Sequence, residues 1–97
     1  METSIRVKFV PISAEELGYP EYVRNFYPDV VRKANERFLE ELGTHCRSSW
    51  PGAKIEAETS NRTSVLFNPA DADCESALLL WVGAAIRENI LKFAWSG

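Results

Sequence analysis

Hydrophobic residues recur along this chain in three rhythms, and each predicts a different element. Residues 5–10, Ile-Arg-Val-Lys-Phe-Val, alternate with period two: Ile5, Val7 and Phe9 on one side, Arg6 and Lys8 on the other. This is the pattern of a strand with one buried face. Pro11 ends it, because proline has no N–H for a ladder. Residues 53–59 alternate again, with Ala53, Ile55 and Ala57 opposite Lys54, Glu56 and Glu58. Residues 63–67 repeat the pattern, with Val65 and Phe67 opposite Ser64 and Leu66. The polar Ser60-Asn61-Arg62 between these two runs predicts a turn, and the pair reads as a hairpin.

The second rhythm has the period of a helix. From Asp29, a capping residue, one apolar stripe holds Tyr27, Val31, Ala34, Phe38, Leu42 and His45, with Val30 at its edge. Arg32, Lys33, Glu36, Arg37 and Glu40 form the other face. The spacing predicts a one-sided helix over 29–42, closed by Gly43. Residues 44–52 read as a connection, with Ser48-Ser49-Trp50-Pro51-Gly52 supplying loop chemistry.

The third rhythm is nearly continuous. Residues 77–86, Ala-Leu-Leu-Leu-Trp-Val-Gly-Ala-Ala-Ile, carry no charge. On a helix over 73–95, capped by Asp71 or Asp73, they give two stripes. One holds Leu79, Val82, Ile86, Ile90 and Phe93; the other holds Ala77, Leu80, Ala84, Leu91 and Trp95. A helix apolar on two sides needs two covers. A membrane span needs about 20 apolar residues; this run is half that and is flanked by Asp71, Asp73, Glu75, Arg87 and Glu88.

Between the first strand and the first helix, Ser13-Ala14-Glu15-Glu16 has the form of a capping box and Gly18 that of a C-cap. They predict one helical turn over 13–17. Pro20 is suited to open a further short helix over 20–26, and Pro28 breaks whatever precedes it. The element order is then β-α-β-β-α. Its natural solution is a small α+β domain spanning residues 1–97, a three-stranded sheet with helices packed on one face. The other sheet face, carrying Arg6, Lys8, Lys54, Glu56 and Glu58, is expected to meet water.

Composition narrows the function classes. The 97 residues are 45% hydrophobic and carry a formal charge of −3, which suits a globular protein and disfavours a nucleic-acid binder. Cys46 and Cys74 follow no metal or disulfide spacing and read as two reduced thiols. Residues 1–12 lack the form of a secretory leader, so the expected location is the cytoplasm.

Candidate chemistry is sparse. His45 and Cys46 pair a base with a thiol, but neighbours on a helix point apart and no third group is implied. One histidine and two separated cysteines are a poor zinc set, and no cofactor is expected. Asp71, Asp73 and Glu75 suit the positive end of a helix dipole. The order β-α-β-β-α is shared with RNA-binding KH domains, but their GxxG loop is missing from Leu17-Gly18-Tyr19-Pro20-Glu21.

Aromatic residues, in contrast, concentrate in irregular segments. Tyr19, Tyr22, Phe26 and Trp50, with Arg24 and Arg47, are the residue types that anchor protein interfaces. The expectation is a non-catalytic protein-interaction module of inhibitor, immunity or adaptor type, binding its partner through these six residues. The stripe of Leu80, Ala84, Leu91 and Trp95 is expected to form a homodimer. The alternatives are a nucleic-acid module on the open sheet face and a small enzyme with a pocket between subunits.

Overall fold

The structure is a computed structural model, and it describes residues 2–23 and 29–95. Its elements are β1 (Ser4–Phe9), α1 (Asp29–Ser49), β2 (Lys54–Thr59), β3 (Ser64–Asn68) and α2 (Ala72–Lys92), with a short 3-10 turn at Glu21–Val23. The class and order are those expected from the sequence. The expected short helix over 20–26 reduces to that single turn, and residues 24–28 lie outside the described residues.

The sheet order is β2-β1-β3. β1 runs parallel to β2, with Arg6 opposite Glu56 and Lys8 opposite Glu58. It runs antiparallel to β3, with Ile5 opposite Phe67 and Val7 opposite Val65. The expected hairpin is therefore corrected: β2 and β3 are consecutive but β1 lies between them. The chain between Thr59 and Ser64 crosses two inter-strand spacings, about 10 Å, which a few extended residues span. The physical reason lies in β1. Ile5, Val7 and Phe9 are the most completely buried strand residues, and a strand so apolar on its inner face is best covered when it is central.

Both helices lie over that face. Phe9 meets Phe38 of α1 with ring centroids 5.0 Å apart. Ile5, Val7, Phe9, Phe67, Phe38, Leu42, Cys46, Leu78, Val82 and Ala85 form one core. α1 does not end at Gly43, as its composition suggested, but continues to Ser49. A glycine inside a helix costs about 1 kcal/mol relative to alanine. The burial of Cys46 one turn further on offsets it. Termination falls where Pro51 forbids a further turn and Gly52 takes φ +83°.

In α2 the buried stripe is Leu78, Val82, Ala85 and Asn89, one residue out of phase with the expected Leu79 line. Asp71 is the N-cap, its carboxylate accepting from the Cys74 N–H at 3.1 Å. The helix ends at Lys92, so Trp95 leaves the expected stripe. Its N–H donates to the Leu17 carbonyl at 2.8 Å, and its ring lies 5.1 Å from that of Tyr19.

A second, smaller core closes this end. Ile12, Leu17 and Ala34 are buried together, with Val30, Val31, Ile90 and Phe93 around them. The capping box forms: the Glu16 N–H donates to Ser13 Oγ at 3.2 Å, and the Ser13 N–H to Glu16 Oε1 at 3.3 Å. Tyr19 N–H to Ala14 O and Gly18 N–H to Glu15 O, with Gly18 at φ +76°, complete a Schellman end. One side chain ties this segment to α1. Asn35 Oδ1 accepts from the Ile12 N–H at 2.8 Å, and its amide donates to the Ile12 carbonyl at 3.0 Å.

Replacing Asn35 by alanine leaves two part-buried backbone groups without partners, at about 1–3 kcal/mol for such a group. The expected result in urea unfolding is a lower midpoint by that order with an unchanged slope. A midpoint equal to wild type would show that the tie contributes nothing.

Candidate functional site

Three surfaces could do work. The first is the groove between the outer flanks of the two helices, about 550 Å³. Helical spacing brings Arg37, Glu41, His45 and Ser48 to one flank of α1, where they face Trp81 and Glu88 of α2. The His45 imidazole lies flat on the Trp81 indole, centroids 4.2 Å apart and planes 6° from parallel, and meets the edge of Trp50 at 6.1 Å. Burial lowers the imidazole pKa below its ordinary 6.5, so near pH 7 the ring is neutral. It makes no hydrogen bond among the described residues. A general base needs an orienting partner, and His45 has an aromatic plate instead.

Below this groove sits Asn89, 1% exposed. Its amide donates to the Ala85 carbonyl at 2.9 Å and to Glu41 Oε2 at 3.3 Å, while Arg37 holds Glu41 Oε1 at 3.0 Å. Asn89 Oδ1 has no partner among the described residues. Asn35, Trp81 and Asn89 were not singled out by sequence. The signal for Asn89 was present: an asparagine completes the 4-3-4 spacing of Leu78, Val82 and Ala85.

The second surface is the open face of the sheet. Arg6 is ion-paired with Glu56 at 3.2 Å, and Lys54 lies 3.5 Å from the same carboxylate. Two of the charges that could hold a phosphate backbone are already partly neutralised by Glu56, Arg6 across the strands and Lys54 along β2.

The third is the outer side of α2. Leu80 and Leu91 are 76% and 78% exposed, and Ala77 and Ala84 are exposed beside them. The second apolar stripe thus exists, without Trp95 and without a cover from the described residues.

Of the six aromatic and arginine positions, the four described ones fall into two groups. Tyr19 packs in the smaller core beside the first turn of α1, and Tyr22 is exposed nearby. Arg47 is exposed in the last turn of α1, and Trp50 lies just past it, its ring 5.1 Å from Phe67. A 21-residue helix, about 30 Å, separates the two groups. Arg24 and Phe26 lie outside the described residues. Tyr19 and Trp50 therefore roof opposite ends of the core instead of sharing a surface.

The two thiols are free. Burial raises the pKa of Cys46, and a hydrogen bond to the Asp71 carboxylate raises that of Cys74, so neither has the thiolate character of a nucleophile. Among the described residues no three His, Cys, Asp or Glu side chains gather as a metal site, and no helix is long and apolar enough to cross a membrane. Compared with known protein families, curated proteins and solved structures, the chain matches none.

The lowered imidazole pKa fixes the sign of one pH effect. Below pH 6.5 the unfolded chain protonates His45 before the folded one does, so protons favour unfolding. Stability from this group is full above 6.5 and falls as the pH drops towards the folded-state pKa. NMR titration of the imidazole is expected to show a midpoint below 6.5. In His45→Phe, this part of the stability loss between neutral and mildly acid pH should be missing.

Proposed function

We propose that this chain acts by contact: it is a protein-interaction module, of inhibitor, immunity or adaptor type, that works as a homodimer through the outer side of α2. The observation that carries the reading is the exposure of Leu80 and Leu91 on one face of a helix whose other face is fully engaged in the core. Ala77, Leu80, Ala84, Arg87 and Leu91 are spaced 3-4-3-4 along that face, the spacing of a coiled-coil seam. Alanines at alternate seam positions let a second helix come close.

Charge supports self-pairing in an antiparallel sense. Asp71 and Asp73 mark the start of α2, Arg87 and Lys92 its last turns, so each acidic end would meet a basic one. A catalytic reading would have to run through His45, which is stacked and unassisted. A nucleic-acid reading would have to draw on Arg6, which Glu56 already holds.

Sedimentation equilibrium at micromolar concentrations is expected to give a dimer mass for the wild type. The double variant Leu80→Glu, Leu91→Glu should give a monomer with unchanged circular dichroism. His45→Ala should remain dimeric. A wild type that is monomeric throughout, and indistinguishable from the double variant, would remove the self-pairing.

A further inference from the structure

We infer that the free edge of β2 is a docking site for an extended segment of a partner protein, one that alternates basic and apolar side chains. This surface is separate from the outer side of α2 and does not depend on self-pairing there.

The two edges of the sheet are treated differently. On β3 the outward-pointing N–H of Phe67 donates to Glu75 Oε1 at 3.0 Å, a carboxylate supplied by the first turns of α2. That edge is obstructed by a side chain and by the helix that carries it. On β2 the ladder to β1 begins with the Lys54 N–H on the Thr3 carbonyl at 2.8 Å and ends with the Ser60 N–H on the Phe9 carbonyl at 2.9 Å. In a parallel ladder every second residue turns both its backbone groups to the same neighbour. Lys54, Glu56, Glu58 and Ser60 therefore face β1, and Ile55, Ala57 and Thr59 turn their N–H and C=O groups outward. None of these outward groups has a partner among the described residues. Natural sheets usually block such an edge, and partners that add a strand use one left open.

The side chains on this edge say what would fit. Ile55, Ala57 and Thr59 stand on the helix side, opposite the buried Ile5, Val7 and Phe9. Yet Ala57 and Thr59 are exposed and Ile55 is only half-buried, so α1 leaves this strip of the sheet uncovered. Leu39, on the flank of α1 turned away from α2, is 40% exposed. An added strand with apolar residues on this side would cover Ala57 and Ile55.

On the open side stand Glu56 and Glu58. Glu58 has no ion pair among the described residues, and the chain carries a net charge of −3. Opposite charges directly across a ladder stabilise it and like charges oppose it. A second copy of β2 would set Glu56 against Glu58 in one antiparallel register; in the other it would set Glu56 against Glu56 at the centre, with Lys54 across from Glu58 on either side. A strand that sets its basic residues against Glu56 and Glu58 and stops short of Lys54 meets no like charge on this edge, and that decides the occupant.

The probe is a capped six-residue peptide of alternating valine and lysine, titrated into the full chain by NMR. The expected result is saturable binding, with shifts centred on the amides of Ile55, Ala57 and Thr59. A matching valine–glutamate peptide should not bind. Glu58→Lys should weaken binding roughly tenfold. Ala57→Pro removes an outward N–H that the fold itself does not use, a position where edge strands tolerate proline, and should abolish binding while the remaining spectrum persists. If that variant does not fold, valine–lysine peptides methylated at alternate backbone nitrogens replace it, and the one whose N–H groups point at β2 should not bind. Undiminished binding to Ala57→Pro or by both methylated peptides, equal binding of the two charge types, absence of saturation, or shifts centred on α2 or β3 would each overturn the assignment.

Discussion

β1 holds the molecule together because it is paired on both edges and buried on one face. Its odd-numbered residues send their carbonyls to β2 and their side chains into the core; its even-numbered residues face β3 and the solvent side. Every other element takes its place from this strand. α1 covers Phe9 through Phe38, α2 closes over the β3 side with Leu78 and Val82, and the segment after Pro11 turns back over the helix ends. Shortening Val7 or Phe9 would affect both pairings and both helices at once, since cores packed at crystal density transmit a lost volume to all their neighbours.

The two helices divide the remaining work unequally. α1 is one-sided, with charged residues on its outer face joined in pairs such as Arg32–Glu36 at 2.7 Å, each contributing a few tenths of a kcal/mol at most. α2 carries a single charge on its outer seam, Arg87, among Ala77, Leu80, Ala84 and Leu91. Its inner stripe includes a buried asparagine that could have been a leucine, and its outer stripe includes leucines that could have been charged. Asn89 donates from its buried amide to Glu41 and to the Ala85 carbonyl, the kind of polar contact that fixes register in helix seams. Leu80 and Leu91 stand exposed on the outer side. Under the proposed reading, α2 is the element through which contact would be made.

Much of this was legible in the residues. Period-two alternation is a local property, so strands and their inward faces could be read from Ile5, Val7, Phe9, Val65 and Phe67. Strand neighbours are not local, and nothing in residues 53–67 distinguishes a hairpin from a pair split by a third strand. Gly43 misled because its cost is small beside the burial that Cys46 gains one turn later. In α2 three consecutive leucines, 78 to 80, leave the phase of the stripe open, and the residue that sets it is polar. The interface types at Tyr19 and Trp50 were visible, but their distance apart depends on the length of α1. The groove under His45 needs the packing of two helices far apart in sequence, so no spacing could announce it.

Placing β1 between β2 and β3 also governs how the chain must fold. A local hairpin could close early from residues 54–68 alone; here that pairing is not part of the final sheet. The central strand is made first and waits through some fifty residues before either neighbour exists. At about 5–20 residues per second on the ribosome, that wait lasts several seconds, with Ile5, Val7 and Phe9 bare. The sheet then assembles entirely from contacts distant along the chain, the kind that slows folding most. Newly made copies are thus exposed to one another, and to chaperones, for longer than the small size of the domain would suggest.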